Sequence, residues 1–280
     1  MRKISTIALG VLLSGLVSAT AVAQTTGGAP APAQSASDKA ARPAKIWTVS
    51  TGLDFTSAYM FRGIRQTADG TIAQPFADLG LTLGHGVSAN VGTWNSVHST
   101  NASGKWYERD YYGAVNFTAG KLKPGLLYTQ YVSPADSFRT VNELAGVLAV
   151  DDSASPFPFA PKVLVAFELT DGQADGGANK GVYLELGVRP GVKLAPKLSL
   201  AIPIKAGLSL KDYYEGPLGN NHFGYFDTGL ILSVPVASSS SGALEVHGGV
   251  DLLWLGDNMK ILNGNDGFRP VASIGFSFVY

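Results

Sequence analysis

From Ile46 to the last residue, apolar and polar side chains alternate with a period of two, interrupted by clusters of Gly, Asn, Asp and Pro. This texture predicts an all-β chain in which each strand has one greasy and one polar face. Twelve strands are predicted, roughly Trp47 to Arg62, Gln74 to Leu83, Val87 to Val97, Tyr107 to Ala119, Gly125 to Val132, Arg139 to Val150, Ala160 to Thr170, Lys180 to Arg189, Lys197 to Leu210, Phe223 to Val236, Ala243 to Leu255 and Phe268 to Tyr280. In the first, Trp47, Val49, Leu53, Phe55, Tyr59 and Phe61 share a face opposite Ser50, Asp54, Thr56 and Arg62. In the eighth, Val182, Leu184, Leu186 and Val188 oppose Glu185 and Arg189, and in the eleventh Val246, Val250, Leu252 and Trp254 oppose Glu245, His247 and Asp251. Charges keep to one side.

A soluble sandwich alternates in the same way, so periodicity alone does not choose between architectures. The connections do. Gly63 to Ala73, His98 to Trp106, Asp171 to Asn179, Lys211 to His222 and Gly256 to Gly267 are long and polar, and Ser133 to Phe138 is shorter. Gly84 to Gly86, Gly120 to Pro124, Pro190 to Pro196 and Ala237 to Gly242 are tighter. That rhythm, with an even strand count, is the one expected of a transmembrane antiparallel up-and-down β-barrel with both termini periplasmic. Asp151 to Phe159 is long where a tight turn is expected, which points to an exception or a misplaced boundary.

The N-terminus adds a compartment. Arg2 and Lys3 precede an apolar run from Ile7 to Val17 and the tripeptide Ala21, Val22, Ala23, the layout of a secretory signal peptide cleaved after residue 23. The run is shorter than the ~20 apolar residues a membrane-spanning helix needs. Residues 24–45 are rich in Ala, Pro, Gly, Gln and Ser and read as a flexible periplasmic linker, leaving 46–280 as the barrel. With no Cys in the chain, a lipid anchor on Cys, disulfides and thiolate metal sites are excluded. Without Arg2 and Lys3, 19 basic residues face 21 acidic ones, which gives no electrostatic case for nucleic acid. Charged residues make up only 15% of the chain, consistent with strands that present one whole face to outer-membrane lipid.

Two local motifs sharpen this. The chain ends with Ala272, Ile274, Phe276, Phe278 and Tyr280 on one face, a terminal aromatic strand that resembles the signal outer-membrane barrels present to the barrel assembly machinery. Near the start, Tyr59, Phe61, Arg62, Gly63, Ile64, Gln66 and Thr67 form a Tyr-x-Phe-Arg-Gly-Ile-x-Gln-Thr run that resembles the opening strand of the TorF-type porins, a proteobacterial outer-membrane family. Ala58 stands where that family has an acidic residue. The resemblance spans about a dozen residues and implies a barrel and passive transport, without naming a solute.

Candidate chemistry lies on the polar face. Asp54, Asp78, Glu143, Glu168, Glu185, Asp227, Glu245 and Asp251, with Arg62, Lys162, Arg189, Lys205 and Arg269, are expected to line the lumen, and their acidic excess suggests cation preference in a small diffusion channel. Arg62 is expected at the end of a strand, either in a charged ring that screens solutes or paired with an inward carboxylate, because an unpaired charge in a narrow interior is costly. The rival reading is a closed barrel whose paired charges serve stability while its long loops bind a ligand. An outer-membrane lipid hydrolase is a remote third. His98, Ser99 and Asn101 resemble the residue set of outer-membrane phospholipases, but the Ser there lies two residues beyond its His on the same face, whereas Ser99 is adjacent. His247 is read as a satisfied polar residue, and His85 and His222 lack partners in sequence. No catalytic, metal or cofactor site is expected. Tyr213, Tyr214, Phe223, Tyr225 and Phe226 are expected in an aromatic girdle at the membrane interface.

Overall fold

The computed structural model describes residues 46–170 and 172–280; the expected signal peptide and linker lie outside the described residues. In chain order, β1 (Trp47–Thr56) is followed by a small hairpin of β2 (Tyr59–Phe61) and β3 (Ile64–Thr67). Then come β4 (Ile72–Gly84), β5 (Val87–His98), β6 (Trp106–Phe117), β7 (Leu122–Val132), β8 (Val141–Val150), β9 (Lys162–Glu168) and β10 (Val182–Val188). Next are β11 (Gly191–Ala195), β12 (Leu198–Ala201) and β13 (Ile204–Lys211), then a two-rung hairpin of β14 (Glu215–Gly216) and β15 (Gly219–Asn220). The chain finishes with β16 (Phe223–Ser239), β17 (Gly242–Leu255), helix α1 (Asp257–Leu262) and β18 (Phe268–Val279).

Every neighbouring pair in the main sheet is antiparallel, and β1 pairs with both β4 and β18, which closes the sheet on itself. The pairing runs β1, β4, β5, β6, β7, β8, β9, β10, β13, β16, β17, β18 and back to β1, a barrel of twelve staves. Two staves are broken by proline. Pro190 separates β10 from β11 and Pro203 separates β12 from β13, since neither offers an N–H to the ladder. The breaks lie side by side, bridged by the Ile202 N–H to the Pro190 carbonyl at 2.8 Å. The tight turn expected at Pro190 to Pro196 is therefore mostly strand, with β11 and β12 forming a ribbon at the rim.

Closure decides which face is inside. Leu79, Leu81 and Leu83 on β4, Val163 and Phe167 on β9, and Leu230, Leu232 and Val234 on β16 are exposed, while Asp54, Glu143, Glu168, Glu185 and Asp227 on the opposite faces are buried. This is the reverse of a soluble sandwich, in which the greasy face is the covered one. The connections at the end remote from the termini are 57–71, 99–105, 133–140, 169–181, 212–222 and 256–267, and most of those at the near end are shorter. The 151–161 connection at the near end is a true exception and not a misplaced boundary. Tyr280 completes the seam: its N–H donates to the Val49 carbonyl at 2.9 Å, and its ring packs on Trp47 with centroids 4.9 Å apart.

Three sequence expectations are corrected. The first strand ends at Thr56, not Arg62; the chain then turns inward, so Tyr59 and Phe61 are buried rather than lipid-facing. Tyr213, Tyr214 and Tyr225 are also buried, leaving Phe223 and Phe226 as the exposed aromatics of the expected girdle group. Finally, α1 occupies what reads as a plain polar loop. For Tyr59, Phe61, Tyr213 and Tyr214 the cause is that an inward-folded segment buries side chains against the lumen wall, where no sequence period marks them; Tyr225 lies on β16 itself, on the face of Asp227, so its parity already pointed inward.

If the exposed face meets lipid, Leu230→Arg, near the middle of β16, will lower stability in phospholipid vesicles by about 2–4 kcal/mol. Denaturant titration of vesicle-inserted protein measures this, and an unchanged midpoint would mean that this face does not meet hydrocarbon.

Candidate functional site

The β2–β3 hairpin enters the barrel from the end remote from the termini. Its tip is Arg62-Gly63, with φ of 45° and 85°, the positive pair required by a tight type I′ turn. Gly63 suits this; Arg62 does not, since a non-glycine residue in the left-handed region costs ~1–2 kcal/mol. The side chain compensates. Arg62 Nη1 and Nη2 donate to the two carboxylate oxygens of Glu143 at 2.7 and 2.9 Å, and both residues are buried. Nη1 also donates to the Tyr213 hydroxyl, and the Tyr131 hydroxyl donates to Glu143 Oε2 at 2.9 Å. The guanidinium carbon sits 4.1 Å from the Tyr183 ring centroid. A planar, bidentate, stacked cation is a geometry that Arg makes and Lys does not.

Around this latch the barrel is filled rather than hollow. The Tyr59 hydroxyl donates to Glu108 Oε2 at 2.8 Å, and its ring lies 5.3 Å from Trp94. Phe61 packs edge-on against Tyr131 at 5.6 Å, and Tyr183, Tyr213 and Tyr214 form a second aromatic group. Two asparagines pin the hairpin from beyond. Asn263 Nδ2 donates to the Gly63 carbonyl at 2.9 Å, and its Oδ1 accepts the Arg65 N–H at 3.0 Å. Asn258 Nδ2, on α1, donates to the Tyr214 and Gly219 carbonyls at 2.9 and 2.6 Å, tying in the 212–222 connection.

The other expected lumen residues mostly occur in pairs. Asp54 Oδ1 lies 2.6 Å from His247 Nε2, which gives the buried imidazole a carboxylate partner on one of its two ring nitrogens. Lys162 pairs with Glu185 at 2.9 Å and Lys205 with Asp227 at 3.1 Å. Asp78 accepts from Asn90 Nδ2 at 2.8 Å, and Arg189, Glu245 and Asp251 are half-buried. Two residues do other work. Glu168 accepts the Ala174 and Gly181 N–H groups, both at 2.6 Å, and so clamps the 169–181 connection. Arg269 pairs with Asp266 at 2.7 Å, at the rim and outside the deep interior. A Cβ added at Gly275 would stand 1.8 Å from Asp54 Oδ1, so only glycine there leaves room for the Asp54–His247 pair.

Comparison with known proteins now places the chain. Residues 40–197, more than half of it, match the family model described as "Bacterial protein of unknown function (Gcw_chp)". The chain belongs to the Gcw_chp family. No curated protein matches it. Among solved structures it is similar to the NanC porin, with 11% identity, a TM-score of 0.50, and coverage of 82% of this chain and 98% of that one. It also aligns with the COG4313 outer membrane channel from Pseudomonas putida F1, with 12% identity, a TM-score of 0.43 and coverage of 84% and 96%. At these identities the likeness to NanC speaks for the barrel fold alone. The stretch matched to the Gcw_chp family contains the inward hairpin and Glu143 but stops before Tyr213.

Sequence reasoning overlooked several interior residues of this Gcw_chp member. Glu108 shares the face of Asp110 on β6, opposite Tyr111 and Val115, so alternation within that strand was sufficient to find both; both are buried. His98 does meet a serine, but it is Ser96, with Oγ 2.8 Å from Nε2, and not Ser99, whose Oγ accepts the Thr71 N–H. Ser96 and His98 are both enclosed, at 0% and 1% exposure.

Two predictions follow from the latch and the loops. Glu143→Gln leaves a buried guanidinium without its counter-charge and will cost about 3–5 kcal/mol, while pairing it with Arg62→Met restores part of the loss; unfolding in detergent measures both. In the 169–181 connection, burial lifts the Asp175 carboxyl to about 6, against the pull of the Gly177 and Glu215 N–H groups. A raised folded-state value means that the stability Asp175 contributes is present at low pH and lost as pH rises from about 4 to about 6. Asp175→Asn will flatten the thermal midpoint across that interval.

Proposed function

We propose that this protein is an outer-membrane channel for small polar solutes, held closed by the β2–β3 hairpin. The observation that carries the reading is the hairpin itself: a segment with a strained tip, held inside the barrel by one ion pair and a few hydrogen bonds rather than by the sheet ladder. Strain in the backbone at a buried, multiply bonded position is the signature of a switch or clamp. Charged side chains also line the inner wall as pairs on neighbouring strands, Lys162 with Glu185 and Lys205 with Asp227. The acidic excess of the inner wall as a whole favours cations.

The TorF-type resemblance agrees with this reading, because its motif residues are the ones that build the hairpin. Export by the N-terminal signal, and assembly through the terminal Tyr280 strand, complete the proposed route to the outer membrane. A second reading has its own support. Arg62, Lys162 and Lys205 are all paired, as a closed barrel that presents its far loops to a ligand requires. Neither reading needs catalysis.

Planar-bilayer recording separates the two. Replacing residues 59–67 with a short Gly-Ser linker will produce discrete conductance steps larger and more frequent than those of the intact protein, with a reversal potential favouring cations. If the linker variant, shown to be folded, conducts no more than the intact chain, the channel reading fails and the closed barrel stands.

A further inference from the structure

On β6, Glu108 and Asp110 point inward, so Arg109 between them points outward, onto the face that otherwise carries Leu, Val and aromatic side chains. Arg109 pairs in register with Val132, the last residue of β7, which sets it at the far rim. Its surroundings are neutral. Arg109 Nε donates to Asn95 Oδ1 at 3.4 Å, Nη1 donates to the Tyr111 hydroxyl at 3.1 Å, and the guanidinium carbon lies 3.9 Å from the Trp106 ring centroid. Trp106 and Tyr111 are 42% and 45% exposed, and the Trp106 Nε1–H is turned onto the same Asn95 oxygen at 3.2 Å. Among the described residues, Arg109 forms no ion pair, in contrast to Arg62, Lys162 and Lys205 inside. Lys105, one residue before β6, is exposed and likewise in no ion pair.

A cation on the outer wall costs ~2–4 kcal/mol at the bilayer midplane and ~0–1 kcal/mol at the interface, which the rim position satisfies. Interface placement does not explain why the guanidinium rests 3.9 Å from a tryptophan ring and on two neutral acceptors, with no hydrogen bond from Nη2 among the described residues. The donors that remain on an oriented guanidinium match a tetrahedral oxyanion. We propose that Arg109, oriented by Trp106, Asn95 and Tyr111 and assisted by Lys105, binds the phosphate of an anionic lipid in the leaflet around the far rim. The inference rests on the membrane-spanning reading of the barrel.

Native mass spectrometry of the folded, detergent-solubilised full chain tests it, with phosphatidylglycerol as probe and diacylglycerol of the same acyl chains as the uncharged control. The intact protein will retain phosphatidylglycerol and not diacylglycerol, and inorganic phosphate will not compete at comparable concentration. Arg109→Gln will weaken retention about tenfold, as expected for loss of a charge-assisted hydrogen-bonded contact, whereas Lys260→Gln on α1 will leave it unchanged. Equal retention by Arg109→Gln, equal loss in Lys260→Gln, equal uptake of diacylglycerol, or displacement by inorganic phosphate would each overturn the lipid-phosphate site. Failure of the intact chain to insert into phospholipid vesicles at all is a different result and would overturn the membrane reading beneath it.

Discussion

A strand surrounded by hydrocarbon has only other strands to receive its N–H and C=O groups, and this one requirement organises the molecule. It forces the sheet to close, so that β1 meets β18 and Tyr280 bonds back to Val49. Closure then divides every strand into an outer wall that is largely apolar and an inner wall that carries most of the charges. Where proline interrupts the ladder, at Pro190 and Pro203, the two gaps sit together near one rim, where β11 and β12 form their own short ribbon.

The interior imposes the opposite demand. Charged groups taken from water into a narrow lumen must find partners, and with twelve staves there is space for a segment of chain as well as for side chains. The β2–β3 hairpin meets both conditions. It fills the far half with Tyr59 and Phe61, and through Arg62 it gives Glu143 a bidentate counter-charge from a different part of the fold. Asn258 and Asn263 on and after α1 then link the hairpin to the 212–222 connection, so the elements at the far end behave as one hydrogen-bonded cap.

Much of this was legible in the chain. The alternation in β4, β9, β10, β16 and β17 placed strands and faces correctly, and the strand count survived. The cost of an isolated buried charge pointed to Arg62 pairing with an inward carboxylate at a strand end, but not to Glu143 as the partner. His247 meets Asp54 through Nε2, across a sequence distance that no spacing rule covers. Tyr59, Phe61, Tyr213 and Tyr214 were misplaced for a common reason: an aromatic residue has the same sequence appearance on a lipid face and in a packed lumen. Arg109 interrupts the uncharged wall that alternation suggested, and only its neighbours Glu108 and Asp110 reveal its outward direction.

By itself, the sequence determined that the chain makes twelve amphipathic antiparallel strands, because a period of two is a local property written in consecutive residues. It also determined that most carboxylates and cations would share one face, with Arg109 on the other. The tertiary structure alone decided which carboxylate meets which cation, and that the segment after Thr56 turns into the barrel instead of extending the first stave. Those outcomes depend on contacts between residues far apart in the chain, Arg62 with Glu143 and Asn263 with Gly63, whose energies exist only once the sheet has closed.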